Sequence, residues 1–315
     1  MSIPSIPGVN ANTAPAPAPR AAAPPAPTEP PEPKDLVGAP TPEIDRPFVL
    51  VPGWTTSTKT LQGIGNLLTH DKANGGEIYY VKQGQILEQD AKGDLEPIKG
   101  SAKDGRVFEM VLSDTRQSPD KNLPELQENF DAISKATGFS KVDAEGYSQG
   151  GLDARLYLDN GGDHVNKFMM LGTPNHGTAF GEKVIGALDH HLGLFEKIGH
   201  LSEADRGSME WLREEQHSPE LQKLNADWSA EAARTNGVLS VGNDGLATLA
   251  PGDLPIELQK GDGTVPVSSL GGLPGLQTAL IHNHIQHGVL NDSADVEKIR
   301  ANFFGWQTPP GSNPS

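Results

Sequence analysis

Short apolar runs alternate with stretches of helical period along most of the chain. Phe48-Val49-Leu50-Val51 is stopped by Pro52-Gly53 and reads as a buried strand entering a tight loop. Thr58 to Leu68 fits a helix. Glu77 to Val81 and Arg106 to Leu112 are rich in β-formers, and the polar, glycine-punctuated text between them, with Lys92-Gly93-Asp94, predicts an added hairpin. Leu126, Phe130, Ile133 and Ala136 recur at helical spacing; Pro124 suits the first turn of that helix and Gly138 its end. A strand is predicted over Lys141 to Glu145, followed by the turn 146–151 and a helix over Leu152 to Leu158. A further apolar run, Lys167 to Leu171, ends in Gly172-Thr173-Pro174.

Strands alternating with helices at this spacing predict an α/β fold, a mostly parallel central sheet covered by helices on both faces. Between about 178 and 236 the pattern changes to glutamate-rich, leucine-bearing helical text, such as Met209 to Glu215 and Pro219 to Trp228, which reads as a helical insertion. Strand character resumes at Val238 to Val241, and Thr278 to Ile281 precedes a cluster of histidines and a last helix through Val296, Ile299 and Phe303. No internal repeat is visible.

Composition changes this picture mainly at the ends. Thirteen of the 27 prolines fall within the first 42 residues, and from Ala11 to Pro33 Ala and Pro alternate with almost nothing large and apolar. Such text cannot bury enough surface to offset its ordering entropy, so residues 1–45 are expected to form a disordered tail. The folded domain is expected over 46–307 and a second disordered end over 308–315. About 270 residues suffice for one α/β domain with a sizeable core. With 25 Lys+Arg against 41 Asp+Glu the net charge is −16, which argues against nucleic acid or an anionic membrane surface as partner. The chain has no cysteine, excluding disulfides, thiolate nucleophiles and thiolate metal sites. No run approaches the ~18 to 20 apolar residues of a membrane span, and the N-terminus lacks the basic patch and apolar run of a secretory signal. Export by a route independent of such a signal, or a cytoplasmic location, is the expectation. Nothing in the sequence fixes an oligomeric state.

The chemistry concentrates in three places. Gly146-Tyr147-Ser148-Gln149-Gly150 is a G-x-S-x-G pentapeptide between a predicted strand and a predicted helix. A tight turn there strains the serine backbone, exposes its hydroxyl above the sheet and aims the next helix's N-terminus at a developing oxyanion, with the Gln149 amide as one donor. A serine nucleophile needs a base, and the base an orienting carboxylate, both C-terminal to the serine in this arrangement. Asp262, on the loop Gly261-Asp262-Gly263-Thr264, is the first candidate acid and Asp244 the second. For the base, His287 heads the loop into the last helix, and His284 is the alternative. His282, His284 and His287 have the spacing H-x-H-x-x-H, but no second ligand cluster accompanies them, so no metal is expected. The second oxyanion amide is expected from Trp54, after Gly53, with its indole where an acyl chain packs.

In the order and spacing of its motifs the chain resembles bacterial triacylglycerol lipases of the α/β-hydrolase superfamily from about Pro47 to Trp306. The resemblance rests on Val-Pro-Gly-Trp at 51–54, Gly-Tyr-Ser-Gln-Gly-Gly-Leu-Asp-Ala-Arg at 146–155, Gly-Thr-Pro-Asn-His-Gly-Thr at 172–178, Ser-Pro-Glu-Leu-Gln-Lys-Leu-Asn at 218–225, Gly-Asp-Gly-Thr-Val-Pro at 261–266 and the His287 segment. It implies Ser148 as nucleophile with Asp262 and His287 as partners, Trp54 and Gln149 as oxyanion amides, no cofactor, a lipid or ester substrate, and a lid-bearing cap over 178–236. Phospholipases and acyltransferases share that triad, and a silent hydrolase fold used for binding is the alternative of another class. Leu188, Leu192, Leu194, Phe195 and Ile198 would supply a cap underside for transient contact with a lipid interface or, as an equally plain reading, pack on the core. The chain departs from the family in Tyr147, where His is frequent, and in Glu145, where an apolar residue is usual. It departs again in Val289, where one branch has a calcium-binding Asp. A carboxylate buried at 145 would need a partner or a raised pKa. The Gly-Tyr-Ser-Gln-Gly wording also occurs in cutinases, which are smaller and disulfide-bonded.

Overall fold

The computed structural model describes residues 41–189, 201–249 and 258–307. The central strand is β1 (Phe48–Val51), whose four side chains are all buried because both of its faces are covered. Val49 and Val51 point into one apolar cluster, Phe48 and Leu50 into the other, as the two-residue period of a strand requires. This explains an unbroken apolar run where an alternating one would mark a half-exposed strand.

The remaining strands are β2 (Ile78–Lys82), β3 (Gln85–Gln89), β4 (Leu95–Pro97), β5 (Val107–Met110), β6 (Val142–Tyr147), β7 (Val165–Leu171), β8 (Gly237–Asn243), β9 (Leu246–Leu249), β10 (Leu258–Gly261) and β11 (Gln277–Ile281). Nine of them form one sheet in the order β11-β8-β7-β6-β1-β5-β2-β3-β4. Every pairing from β11 to β2 is parallel, and β3 and β4 add an antiparallel edge. The hairpin expected around Lys92-Gly93-Asp94 is the β3–β4 turn. The separate β9–β10 ribbon was not anticipated from the sequence.

Helices α1 (Thr58–Thr69) and α8 (Ala294–Phe304) lie on the Phe48 side. On the Val49 side are α2 (Pro119–Thr137) and α3 (Gln149–Asp159). Pro124 does not open α2. The helix starts at Pro119, directly after Ser118, and Pro124 sits in its second turn. Either proline fits an early helical turn, and the packing of Asn122 and Leu123 places the start at the earlier one. Gly138 ends the helix with φ 76°, its N–H bonding Ser134 O.

Among its described residues the insertion holds α4 (Ala179–Asp189), α5 (Arg206–Leu212) and α6 (Pro219–Ala232). A cluster including Leu188, Met209, Trp211 and Leu221 packs on Leu152 and Leu156 of α3. Arg155 fixes it further, with Nε and Nη2 on Glu231 at 2.8 and 3.0 Å and Nη1 on Asn175 and Asn225. Leu188 is therefore interior packing; Leu192, Leu194, Phe195 and Ile198 lie outside the described residues. Near the ends, Glu43 and Gln307 exchange backbone bonds of 2.8 and 3.1 Å, and Ile44 is buried. A short α7 (Val267–Leu270) follows β10. No helix among the described residues is long and apolar enough to cross a membrane.

Glu145, the departure noted above, is fully buried on β6, and its partner is Arg300 of α8, also fully buried. Nε and Nη2 of Arg300 bond both carboxylate oxygens at 2.7 Å, while the other donors reach Asn291 O and Oδ1 at 3.0 and 2.8 Å. The pair thus ties the strand that ends at the serine to the 3₁₀ turn His287–Asp292. Removing one member of such a pair strands a buried charge. Arg300→Met is expected to lower stability by about 3–5 kcal/mol in urea unfolding, and Glu145→Leu in the same chain to recover most of it.

Candidate active site

β6 ends at Tyr147 and α3 begins at Gln149, leaving Ser148 to make the turn alone. Its backbone lies at φ 55°, ψ −125°, a region an L-residue occupies only when its surroundings impose it. Close packing imposes it. A Cβ on Gly150 would run into the carbonyl oxygens of Val51 and Pro52, and one on Gly53 would sit 2.6 Å from Tyr147 O and 2.9 Å from Ser148 Cβ. The loop after β1 and the start of α3 therefore touch backbone to backbone beside the serine. Ser148 N–H bonds Leu171 O at 2.8 Å, securing the turn to β7.

Beside Ser148 lies His287, its Nε2 2.9 Å from Ser148 Oγ. Nδ1 of His287 is 2.7 Å from Asp262 Oδ2. The carboxylate, 1% exposed, is oriented through its other oxygen, which accepts from Thr264 N at 2.9 Å and Val265 N at 2.7 Å. A backbone bond from His287 N to Asp262 O, 2.9 Å, holds the two loops in register. Tyr147 adds a further support: its hydroxyl donates to His287 O at 2.5 Å and its ring stacks on the imidazole at 5.4 Å between centroids. Burial, with the nearby Asp262 and Asp292 charges, pushes the Tyr147 phenol well up, so it stays a donor.

The other two candidates lie elsewhere. Asp244 bonds His282 Nδ1 at 2.7 Å and Lys260 Nζ at 3.1 Å on the surface, and His284 is exposed with no bond to Ser148. The structure brings Ser148, His287 and Asp262 together and leaves these apart. Among the described residues no group of three His, Asp or Glu is arranged to hold a metal ion.

A cavity of about 340 Å³ opens on Ser148 and His287, walled by Trp54, Phe180, Leu212 and Val265. The Trp54 ring packs on Phe180 at 5.8 Å and its Nε1 donates to Asp205 Oδ1 at 3.1 Å. Asp205, fully buried in the insertion, also accepts from Arg116 and from Ser202 N. Burial acts to raise its carboxyl, and the bonds from Arg116, the Ser202 amide and Trp54 outweigh it, leaving the pKa below the ordinary range. Neither Asp205 nor Arg300 was singled out in the sequence. Glu145 signalled the need for a partner or a raised pKa without saying which; Asp205 carried no local signal, being 151 residues from Trp54.

A mostly parallel sheet with helices on both faces, one of whose strands runs into a strained serine ahead of a helix, defines the α/β-hydrolase fold. No protein-family model matches the chain, and no curated protein matches it. Solved structures do. The product of gene lin2722 from Listeria innocua is similar with a TM-score of 0.54 and 16% identity, over 82% of this chain and 93% of that one. The mature form of Bacillus licheniformis lipase BlEst2 gives 0.54 and 14%, over 85% of this chain and 96% of that one. Its propeptide form gives 0.55 and 14%, over 88% of this chain and 55% of that longer one. These likenesses establish the fold.

The Gly150 contact is open to a direct check. Gly150→Ala must push the loop after β1 away from α3, and thermal unfolding is expected roughly 5 °C below the parent; an unchanged midpoint would mean the contact is slack.

Proposed function

We propose that the protein is a serine ester hydrolase acting on acyl esters of lipids, with Ser148, His287 and Asp262 as its catalytic triad. One observation carries this reading: the unbroken chain of hydrogen bonds from Ser148 Oγ through both nitrogens of His287 to Asp262, at 2.9 and 2.7 Å. Ser148 attacks the ester carbonyl as His287 Nε2 takes its proton, and Asp262 stabilises the imidazolium. The tetrahedral oxyanion is received by the amides of Gln149 and Trp54, the first at a helix N-terminus where the peptide dipoles favour negative charge. His287 then protonates the leaving alcohol. Water repeats the sequence on the acyl-enzyme, releasing the acid and restoring Ser148.

Supporting a lipid acyl chain as substrate are the apolar walls of the cavity, Trp54, Phe180, Leu212 and Val265. The net charge of −16 favours neutral esters over anionic surfaces. Ser148→Ala is expected to lower kcat on p-nitrophenyl esters by about 10⁴-fold or more with folding unchanged. In the parent, hydrolysis should extend from butyrate to palmitate. Undiminished activity in Ser148→Ala would remove the nucleophile, and a sharp optimum at the shortest chain would contradict a lipase.

A further inference from the structure

Trp54 carries one of the two amides that receive the oxyanion in the proposed mechanism, and the turn presenting it is strained. Gly53 to Thr56 is closed by two bonds, Thr56 N to Gly53 O and Gly53 N to Thr56 Oγ1, both 3.1 Å. A Cβ on Gly53 would come within 3.4 Å of Gln149 N, so the turn lies against the other amide. Its third residue, Thr55, has φ 55°, left-handed backbone that turns usually give to glycine or asparagine and that crowds a β-branched side chain. Neither closing bond engages Trp54 or Thr55, and among the described residues nothing accepts from Trp54 N–H. The middle of the turn is held from outside by the Trp54 side chain, its ring on Phe180 at 5.8 Å and its Nε1 on Asp205 Oδ1 at 3.1 Å.

Asp205 is itself immobilised. It ends the 3₁₀ turn Glu203–Asp205 ahead of α5 and is fully buried. Arg116 Nε donates to Oδ1 at 2.6 Å, Arg116 Nη2 donates to Oδ2, and Ser202 N donates to Oδ2 at 2.8 Å. Paired with a guanidinium and shut off from water, the carboxylate is a fixed, charged acceptor for the indole, and such bonds are stronger than neutral ones. We propose that Asp205 is a positioning residue for the oxyanion amide of Trp54: by fixing the indole it keeps the strained turn in the shape that presents Trp54 N–H to the oxyanion. Asp205 belongs to the helical insertion, whereas Trp54 follows β1. The oxyanion site is therefore complete only while this part of the insertion is seated on the loop after β1.

This inference rests on the hydrolase reading of Ser148 and Trp54, and a readout without substrate keeps the two apart. Trp54→Phe keeps an aromatic ring against Phe180 and deletes the indole N–H. In p-nitrophenyl ester hydrolysis it should lower kcat about tenfold, less than the loss of a whole oxyanion donor costs, with KM little changed. Asp205→Ala should do the same, and the double variant should be no slower than Asp205→Ala, because both changes break one bond. In protein labelled with ¹⁵N-tryptophan, the backbone amide signal of Trp54, identified by its absence from Trp54→Phe, should shift in Asp205→Ala whether or not esters are hydrolysed. A raised KM at unchanged kcat would make the bond a prop for the cavity wall and overturn the proposal. So would kcat losses that multiply in the double variant, or an unmoved Trp54 amide. Should Asp205→Ala fail to fold, the kcat and KM of Trp54→Phe decide alone. A parent without ester hydrolysis but with the amide shift would remove the hydrolase reading alone.

Discussion

Ser148 is held in a backbone conformation that it would leave if its neighbours allowed, and the rest of the site is arranged around that constraint. Such strain costs roughly 1–3 kcal/mol and persists only where packing over-determines it. Here the bond from Ser148 N to Leu171 O and the contact of Gly150 with the carbonyls of Val51 and Pro52 leave no room for relaxation. The same contacts put the Gln149 amide at the head of α3 and bring the loop carrying Trp54 beside the serine. Strain, helix N-terminus and second loop are therefore one structural fact, set by the approach of β1 and α3.

The histidine side depends on a different kind of contact. His287 sits on an irregular turn with no sheet bonds of its own to fix it, and its position comes from polar ties, among them the bond from its N–H to Asp262 O. Asp262 holds the ring, Tyr147 holds the carbonyl, and Arg300 grips Asn291 while paired with Glu145. Arg300 and Glu145 are wholly buried, so neither can exchange its partner for water. A polar pair beneath the sheet face thus joins the strand that delivers the serine to the turn that delivers the histidine. On the opposite side, Asp205 fastens the insertion to Trp54 and Arg116, so the cavity wall and the loop after β1 share one anchor.

What the sequence disclosed is what depends on short range. The run Phe48 to Val51, the turn at 146–151 and the glycine-flanked Asp262 are each legible within a few residues, because strand burial, elbow sterics and turn chemistry act locally. The β9–β10 ribbon was missed because Leu246 to Leu249 is short and its pairing depends on a strand beyond an intervening segment. The start of α2 was misplaced because Pro119 and Pro124 both suit an early helical turn. Arg300 lies 155 residues from Glu145, so the sequence could show that a carboxylate buried there needed a partner or a raised pKa, and not that Arg300 is the partner. His284 and His287 were likewise inseparable by spacing; the bond from His287 N to Asp262 O separates them in space.

The central claim is that Ser148 is a nucleophile activated by His287. Treating the intact protein with a fluorophosphonate and locating the adduct by peptide mass spectrometry tests it most directly. The expected result is a single adduct on Ser148, formed orders of magnitude more slowly in His287→Ala, where the hydroxyl has lost its base. Absence of an adduct, an adduct on another residue, or equal labelling of His287→Ala would contradict it.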